Sequence, residues 1–246
     1  MDQRPETLMK LLHLADSALP IGSAAHSYGM ETLVFDGDLT VEHLMDFFVA
    51  YVEEAGAVEA DYCGKSYAIG ADLAGVAEAS VDPHVWTPWL RLNRQLSARK
   101  PARESRVASA TLGRRLIRLA LALEFDPRLH GALRAIVDAD LHHATAYGLL
   151  GGWWSLGTEE TVLSFLQQMV AGMVSACQRL MPLGQNRAQS IQWSLHPTLA
   201  ATARNAVSGR HQPASIGATA VRPSFTPLLE VGSMRHATLP TRLFVS

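Results

Sequence analysis

The chain has 246 residues, 48% of them hydrophobic and only 18% charged, with a formal net charge of −2. That length can bury a substantial core as one domain or two fused helical halves, and the near-neutral balance excludes a global positive field for nucleic acid or an anionic membrane. So few charges imply either a large buried fraction or exposed apolar area that a partner covers.

Almost every segment carries the helical period. Leu8, Leu11, Leu12 and Ala15 form one face of a short opening helix, which Pro20 and Gly22 break. Thr40 is placed to cap a long helix reaching about Ile69, with Leu44, Phe47, Phe48, Tyr51 and Val52 as its early apolar stripe. Asp82 followed by Pro83 signals the start of the next helix, through Trp86, Trp89, Leu90 and Leu92. Pro101 opens another to about Leu123, and Pro127 a shorter one. The stretch from Asp138 through Trp154 reads as a helix rich in small residues. Gly157-Thr158 restarts the chain into a long helix that Pro182 ends near Leu180. Helices from about Gln185 to Leu195 and after Pro197 complete the body. No segment alternates as a strand does. The expected fold is all-α: a single globular, bundle-like helical domain over residues 1–223, with a Gly- and Pro-rich crossover at 208–223 and a partly irregular docking tail at 224–246.

No catalytic constellation stands out. No glycine run ends in Gly-Lys-Ser/Thr, so nucleotide hydrolysis by this chain alone is not expected. His142 and His143 are adjacent and point about 100° apart on a helix, so they cannot share a face. Asp138 and His142 form an i,i+4 pair that suits a salt bridge or cap better than a metal. His26, Tyr28 and Glu31 make a polar cluster after the Pro20 break, without a nucleophile and base at working spacing. Cys63 and Cys177 are far apart in apolar helical contexts and read as buried free thiols. Of the adjacent Trp153 and Trp154, at most one fits fully in the core. Gly148, Gly151 and Gly152, with Ala144 and Ala146, suit a tight helix crossing, or secondarily a dimer seam. The basic run Arg91 to Arg118, diluted by Glu104, argues only weakly for phosphate contacts. The first residues lack the apolar run of a secretory signal and nothing later is long enough to span a bilayer, so a cytoplasmic location is expected.

The tail from Ser224 to Ser246 interleaves Phe225, Leu228, Leu229, Leu239, Leu243 and Phe244 with Arg235, His236 and Arg242. Such a segment either docks on its own domain or is held by a partner; the second is the expectation here.

Four ordered blocks carry a resemblance. They are Leu14-Ala-Asp-Ser-Ala-Leu-Pro-Ile-Gly22 with His26-Ser-Tyr-Gly-Met-Glu31; Glu104-Ser-Arg106 with Leu112-Gly-Arg-Arg-Leu116; Cys177-Gln-Arg-Leu-Met-Pro182-Leu-Gly-Gln185; and Leu228-Leu-Glu-Val-Gly-Ser-Met-Arg235-His236 with Arg242-Leu-Phe-Val-Ser246. Together they resemble the UreF family of urease accessory proteins from about residue 7 onward. The resemblance implies an all-helical, non-catalytic homodimer without a cofactor. It would bridge a UreD/UreH-like accessory protein and a UreG-like GTPase to support nickel insertion into apo-urease. Carried onto this chain, it marks Arg179 and Gln185 after the long helix, and Arg235, His236, Arg242, Leu243 and Phe244 in the tail, as partner-binding candidates beside His26, Tyr28 and Glu31. The chain departs from many relatives at Ala24 in the first loop, where they carry Phe. In the tail it has Ala237, Pro240 and Val245 where they carry Glu, Tyr and Arg. Pro240 argues against continuous helix there. Two alternatives are a dimeric nickel-binding chaperone using His142 and a helical enzyme using His26, Glu31, Asp138 and His142.

Overall fold

The computed structural model describes residues 4–75, 83–130, 140–209 and 226–245. Among these there is no strand; the chain is a set of packed helices. They are α1 Arg4–Ala15, α2 Met30–Asp36, α3 Leu44–Tyr51, α4 Ala57–Ala74, α5 Thr87–Ala98, α6 Arg103–Leu123, α7 His143–Trp153, α8 Thr158–Leu180, α9 Gln185–Ser194, α10 His196–Ser208 and α11 Pro227–Arg235. No described helix is long and apolar enough to cross a membrane.

The hub is α7, buried from Ala144 through Trp153. A helix that is apolar or small on every side must be surrounded, and α7 packs on α4, α6 and α8. Its glycines permit this approach. A Cβ on Gly148 would strike the Cys63 carbonyl oxygen of α4, and one on Gly152 the Tyr67 carbonyl oxygen. From the other side, Gly70 of α4 meets the Leu149 carbonyl oxygen. The small-residue stretch therefore serves a crossing within the chain.

Most boundaries match the punctuation. α8 begins after Gly157 and ends at Leu180 ahead of Pro182, and α6 follows Pro101. Three expectations change. The helix expected from Asp138 begins at His143, because the His142 backbone is extended (φ −72°, ψ 151°); Asp138 itself lies outside the described residues. The helix expected from Thr40 begins at Leu44 after a turn in which the His43 N–H donates to the Thr40 carbonyl. It continues past Ile69 to Ala74 through a π-helical turn at Val52–Gly56, which re-phases the apolar stripe that buries Leu44, Phe48 and Val52. Finally, α1 is rolled: Leu8 and Leu12 face solvent with Met9, while Leu14 is buried. Lys10 pairs with Glu124, and the Leu14 carbonyl accepts the Gln168 side-chain amide at 2.8 Å, so these contacts fix the roll.

Cys63 and Cys177 are buried and free, as expected; burial pushes the Cys177 thiol up to about 12. Trp153 is buried and stacked on Trp86, while Trp154 lies half-buried under the Lys10 ammonium. The Asp82 cap and most of the 208–223 crossover lie outside the described residues, as do Ser224, Phe225 and Ser246.

Candidate partner-docking site

The first loop and the tail, at opposite ends of the chain, fold onto each other. Pro20 ends the approach from α1, and Gly22 turns the chain at φ 82°. The Arg115 guanidinium of α6 lies against Gly22, whose left-handed φ disfavours any side chain, and donates to the Ile21 carbonyl at 3.1 Å. Burial, then the Arg115 charge, holds the His26 imidazole below its usual range. Tyr28, packed near the His26 ring, adopts φ 53°, a conformation that costs a non-glycine residue of order 1 kcal/mol. Burial pushes its hydroxyl above the ordinary tyrosine range, with Glu59 adding to the shift.

Gly29 follows at φ 88° and starts α2. A Cβ there would meet the Leu229 carbonyl and the Ser233 amide of α11, and one on Gly232 would meet the Gly29 carbonyl. Two glycines thus let α11 lie directly on the start of α2. The Thr32 hydroxyl closes the contact by donating to the Gly232 carbonyl at 2.8 Å.

Glu31 anchors the tail beyond α11. Its carboxylate, 5% exposed, lies 2.7 Å from His236 Nε2, and His236 is 2% exposed. The same carboxylate accepts the backbone N–H of Leu243 at 2.6 Å and that of Phe244 at 3.3 Å. Three donors converging on one buried acid satisfy a group that would be costly to bury alone. Further along, the Val245 N–H donates to the Ala25 carbonyl at 2.9 Å. Arg179, from the last turn of α8, donates to the Ala24 carbonyl at 2.5 Å and lays its guanidinium 4.0 Å from the Phe244 ring centroid. Arg235 forks onto Asp36 at the end of α2 (2.6 and 3.4 Å).

The described tail therefore docks on its own domain, which corrects the expectation that a partner holds it. His236 and Phe244 are spent on that docking, as is Glu31. Arg242 and Leu243 point outward, Leu243 with 63% of its surface exposed. Gln185 is exposed at the start of α9 and is not bonded to the cluster. Pro240 falls where α11 and a short 3₁₀ turn (His236–Thr238) have already ended, consistent with its helix-breaking chemistry.

The residues of the enzyme alternative do not gather. His26 and Glu31 lie on the first loop and α2. His142 is buried between α5 and α6, its Nε2 2.7 Å from Ser97 Oγ, whose hydroxyl also lies 2.9 Å from Asp140. α6 separates the two places: Arg115 touches the first loop, whereas Gly113, about 200° around the helix, packs on Leu141 and His142. Among the described residues no group of three or more His, Cys, Asp or Glu is placed to hold a metal ion.

The sequence reading missed Glu230, whose carboxylate accepts the Ala102 N–H at 2.7 Å and so caps α6 from the tail. It also missed Asp36 as the partner of Arg235. An acid in an otherwise apolar block was the available signal for Glu230; Asp36 had none.

A profile of the UreF family matches residues 41–196. The chain belongs to the UreF family. Urease accessory protein UreF of Actinobacillus pleuropneumoniae is 29% identical over 238 residues, 96% of this chain and 97% of that protein. The UreF protein of Nostoc sp. is 26% identical over 238 residues, covering 97% and 95% of the two chains. That of Lachnoclostridium phytofermentans is 30% identical over 252 residues, covering 97% and 98%. As a UreF-family member the chain is a urease accessory protein. The profile span stops short of both the first loop and the tail, so the Glu31 anchor lies outside the matched UreF segment.

Proposed function

We propose that this UreF-family protein is a urease maturation adaptor. It bridges a UreD/UreH-like protein and a UreG-like GTPase, as a homodimer in the cytoplasm, and so supports nickel insertion into apo-urease. The observation that supports this best is the tail held by Glu31, which leaves Arg242 and Leu243 exposed. A fixed backbone that displays an arginine and a leucine costs little further ordering entropy on binding. The adaptor needs no bond-making residue. It holds the GTPase and the accessory protein at a defined geometry and favours the productive state by differential binding.

The test is a pull-down with the UreD-like and UreG-like proteins, using a chain truncated before Ser224. Loss of recruitment and of urease activation is expected. Unchanged recruitment and activation overturn the assignment.

A further inference from the structure

Charge is segregated along this chain. Between Thr87 and Leu123, the span of α5 and α6, there are nine lysines and arginines and one acid, Glu104. Between Asp36 and Asp61 there are eight acids and no lysine or arginine. The two stretches carry +8 and −8, so the formal total of −2 conceals two opposite poles of equal size.

Both poles reach the surface. α5 and α6 grip the same turn: Asn93 of α5 accepts the His142 N–H at 2.8 Å, and Ser109 of α6 accepts the His143 N–H at 3.3 Å. Asn93 and Ser109 are buried, so positions two away, about 200° around each helix, face outward. Arg91 is two from Asn93, Val107 two from Ser109, and Arg118 two from the buried Leu116 and Ala120. Arg91, Arg94, Arg103 and Arg118 are exposed, whereas the acid of this span, Glu104, is half-buried. Val107, 54% exposed, sits among the arginines of α6.

The acidic pole is built the same way. Asp46 is two positions from the buried Leu44 and Phe48 of α3 and faces solvent, as do Asp38, Glu42 and Glu53. Phe35, beside Asp36, is 60% exposed. Each pole thus exposes charge of one sign together with apolar surface. Inside the fold the two stretches meet where Lys100 pairs with Glu59. α11, packed on both α2 and α6, stands between the helix that ends at Asp36 and the one that bears Arg103 and Arg118.

We infer that two copies of this chain associate through these poles, the α5–α6 arginine face of each seated on the acidic α2–α3 face of the other. In a two-fold pair the contact is made twice, so all four faces are matched. Charge complementarity selects this occupant, because opposite faces attract and fix the register while like faces repel. A nucleic acid offers no aliphatic counterpart to Val107 and is repelled by the acidic pole of the same molecule. The inference rests on the homodimer named in the proposed function and assigns its surfaces; it does not involve Arg242 or Leu243.

The test is sedimentation velocity of the full chain at about 0.01 M and about 1 M salt, across which the screening length falls from about 30 Å to about 3 Å. A dimer at low salt that dissociates at high salt is expected. An Arg91→Glu, Arg118→Glu double variant and an Asp38→Lys, Asp46→Lys double variant should each weaken the dimer by roughly tenfold or more. Mixing the two double variants should restore it, because every face then meets its opposite; that rescue separates loss of contact from loss of fold. A parent dimer indifferent to salt and to both reversals, or a mixture that does not pair, overturns the inference and leaves the homodimer reading standing. A parent chain that stays single at low salt overturns both, as does one that instead binds a labelled single-stranded oligonucleotide through these arginines.

Discussion

Glu31 and His236 are 205 residues apart in the chain and 2.7 Å apart in the fold. Both are buried, and the same carboxylate holds the backbone of Leu243 and Phe244. One acid in the second helix therefore fixes the position of the last described residues, and with them the surface that Arg242 and Leu243 present.

Replacing that acid should release the tail before it unfolds the domain. Glu31→Gln keeps the shape but leaves one acceptor oxygen where three donors converge. Losing one member of a buried hydrogen-bonded pair costs about 2–4 kcal/mol. Because the tail can detach alone, the loss appears mainly as local opening. Faster amide exchange at Phe244 and Val245, and faster trypsin cleavage after Arg242, are expected, with a smaller fall in Tm. Unchanged exchange at both amides would contradict the anchoring role.

Glycines that look alike in sequence should respond oppositely to alanine. Gly148→Ala forces a Cβ into the Cys63 carbonyl, and relief requires α4 and α7 to separate. A loss of about 1–3 kcal/mol is expected, more than the helix-propensity gain returns. Gly172, inside α8, has open space at the same position, so Gly172→Ala should stabilise the fold by about 0.5–1 kcal/mol. Chemical denaturation of the two variants decides the matter, and equal effects would rule out the close crossing.

Acid should weaken the fold through His142 and His143. Burial lowers them to about 3 and about 4, with Lys100 and, for His142, Arg106 adding to the effect. His142 Nε2 pairs with Ser97 Oγ, and among the described residues its buried Nδ1 has no hydrogen-bond partner. The unfolded histidines titrate near 6.5. Between there and the folded values the unfolded state binds more protons, so stability is full above about pH 6.5 and falls as pH drops. Each histidine contributes a slope of about 1.4 kcal/mol per pH unit at most. Urea denaturation from pH 7 to pH 5 should show the decline, and His142→Gln should make it shallower. An unaltered slope in that variant would exclude His142 as a source.

Much of the fold was legible because its punctuation is local. Pro101, Gly157 and Pro182 mark helix ends through backbone chemistry that neighbours do not override. The face of α1 was not legible, since Leu8, Leu11 and Leu12 satisfy the helical period as well as Leu11 and Leu14 do. The contacts that choose, Lys10 with Glu124 and Gln168 with Leu14, are remote in sequence. The candidate site was half legible. The polar density after Pro20 singled out Glu31, and resemblance to the family singled out Arg179, His236 and Phe244, but nothing local told a tail that docks inward from one that reaches outward. That depends on Glu31 finding donors more than 200 residues away, which no spacing rule encodes.

The proposed docking surface is tested most directly by recruitment with an Arg242→Glu, Leu243→Asp double variant. Both side chains face solvent, so the circular dichroism spectrum and Tm should match the parent chain. Co-purification with the UreD-like and UreG-like proteins should fall by roughly tenfold or more, and nickel-dependent urease activation should fall with it. Full recruitment and full activation by a folded double variant would contradict the assignment of this surface.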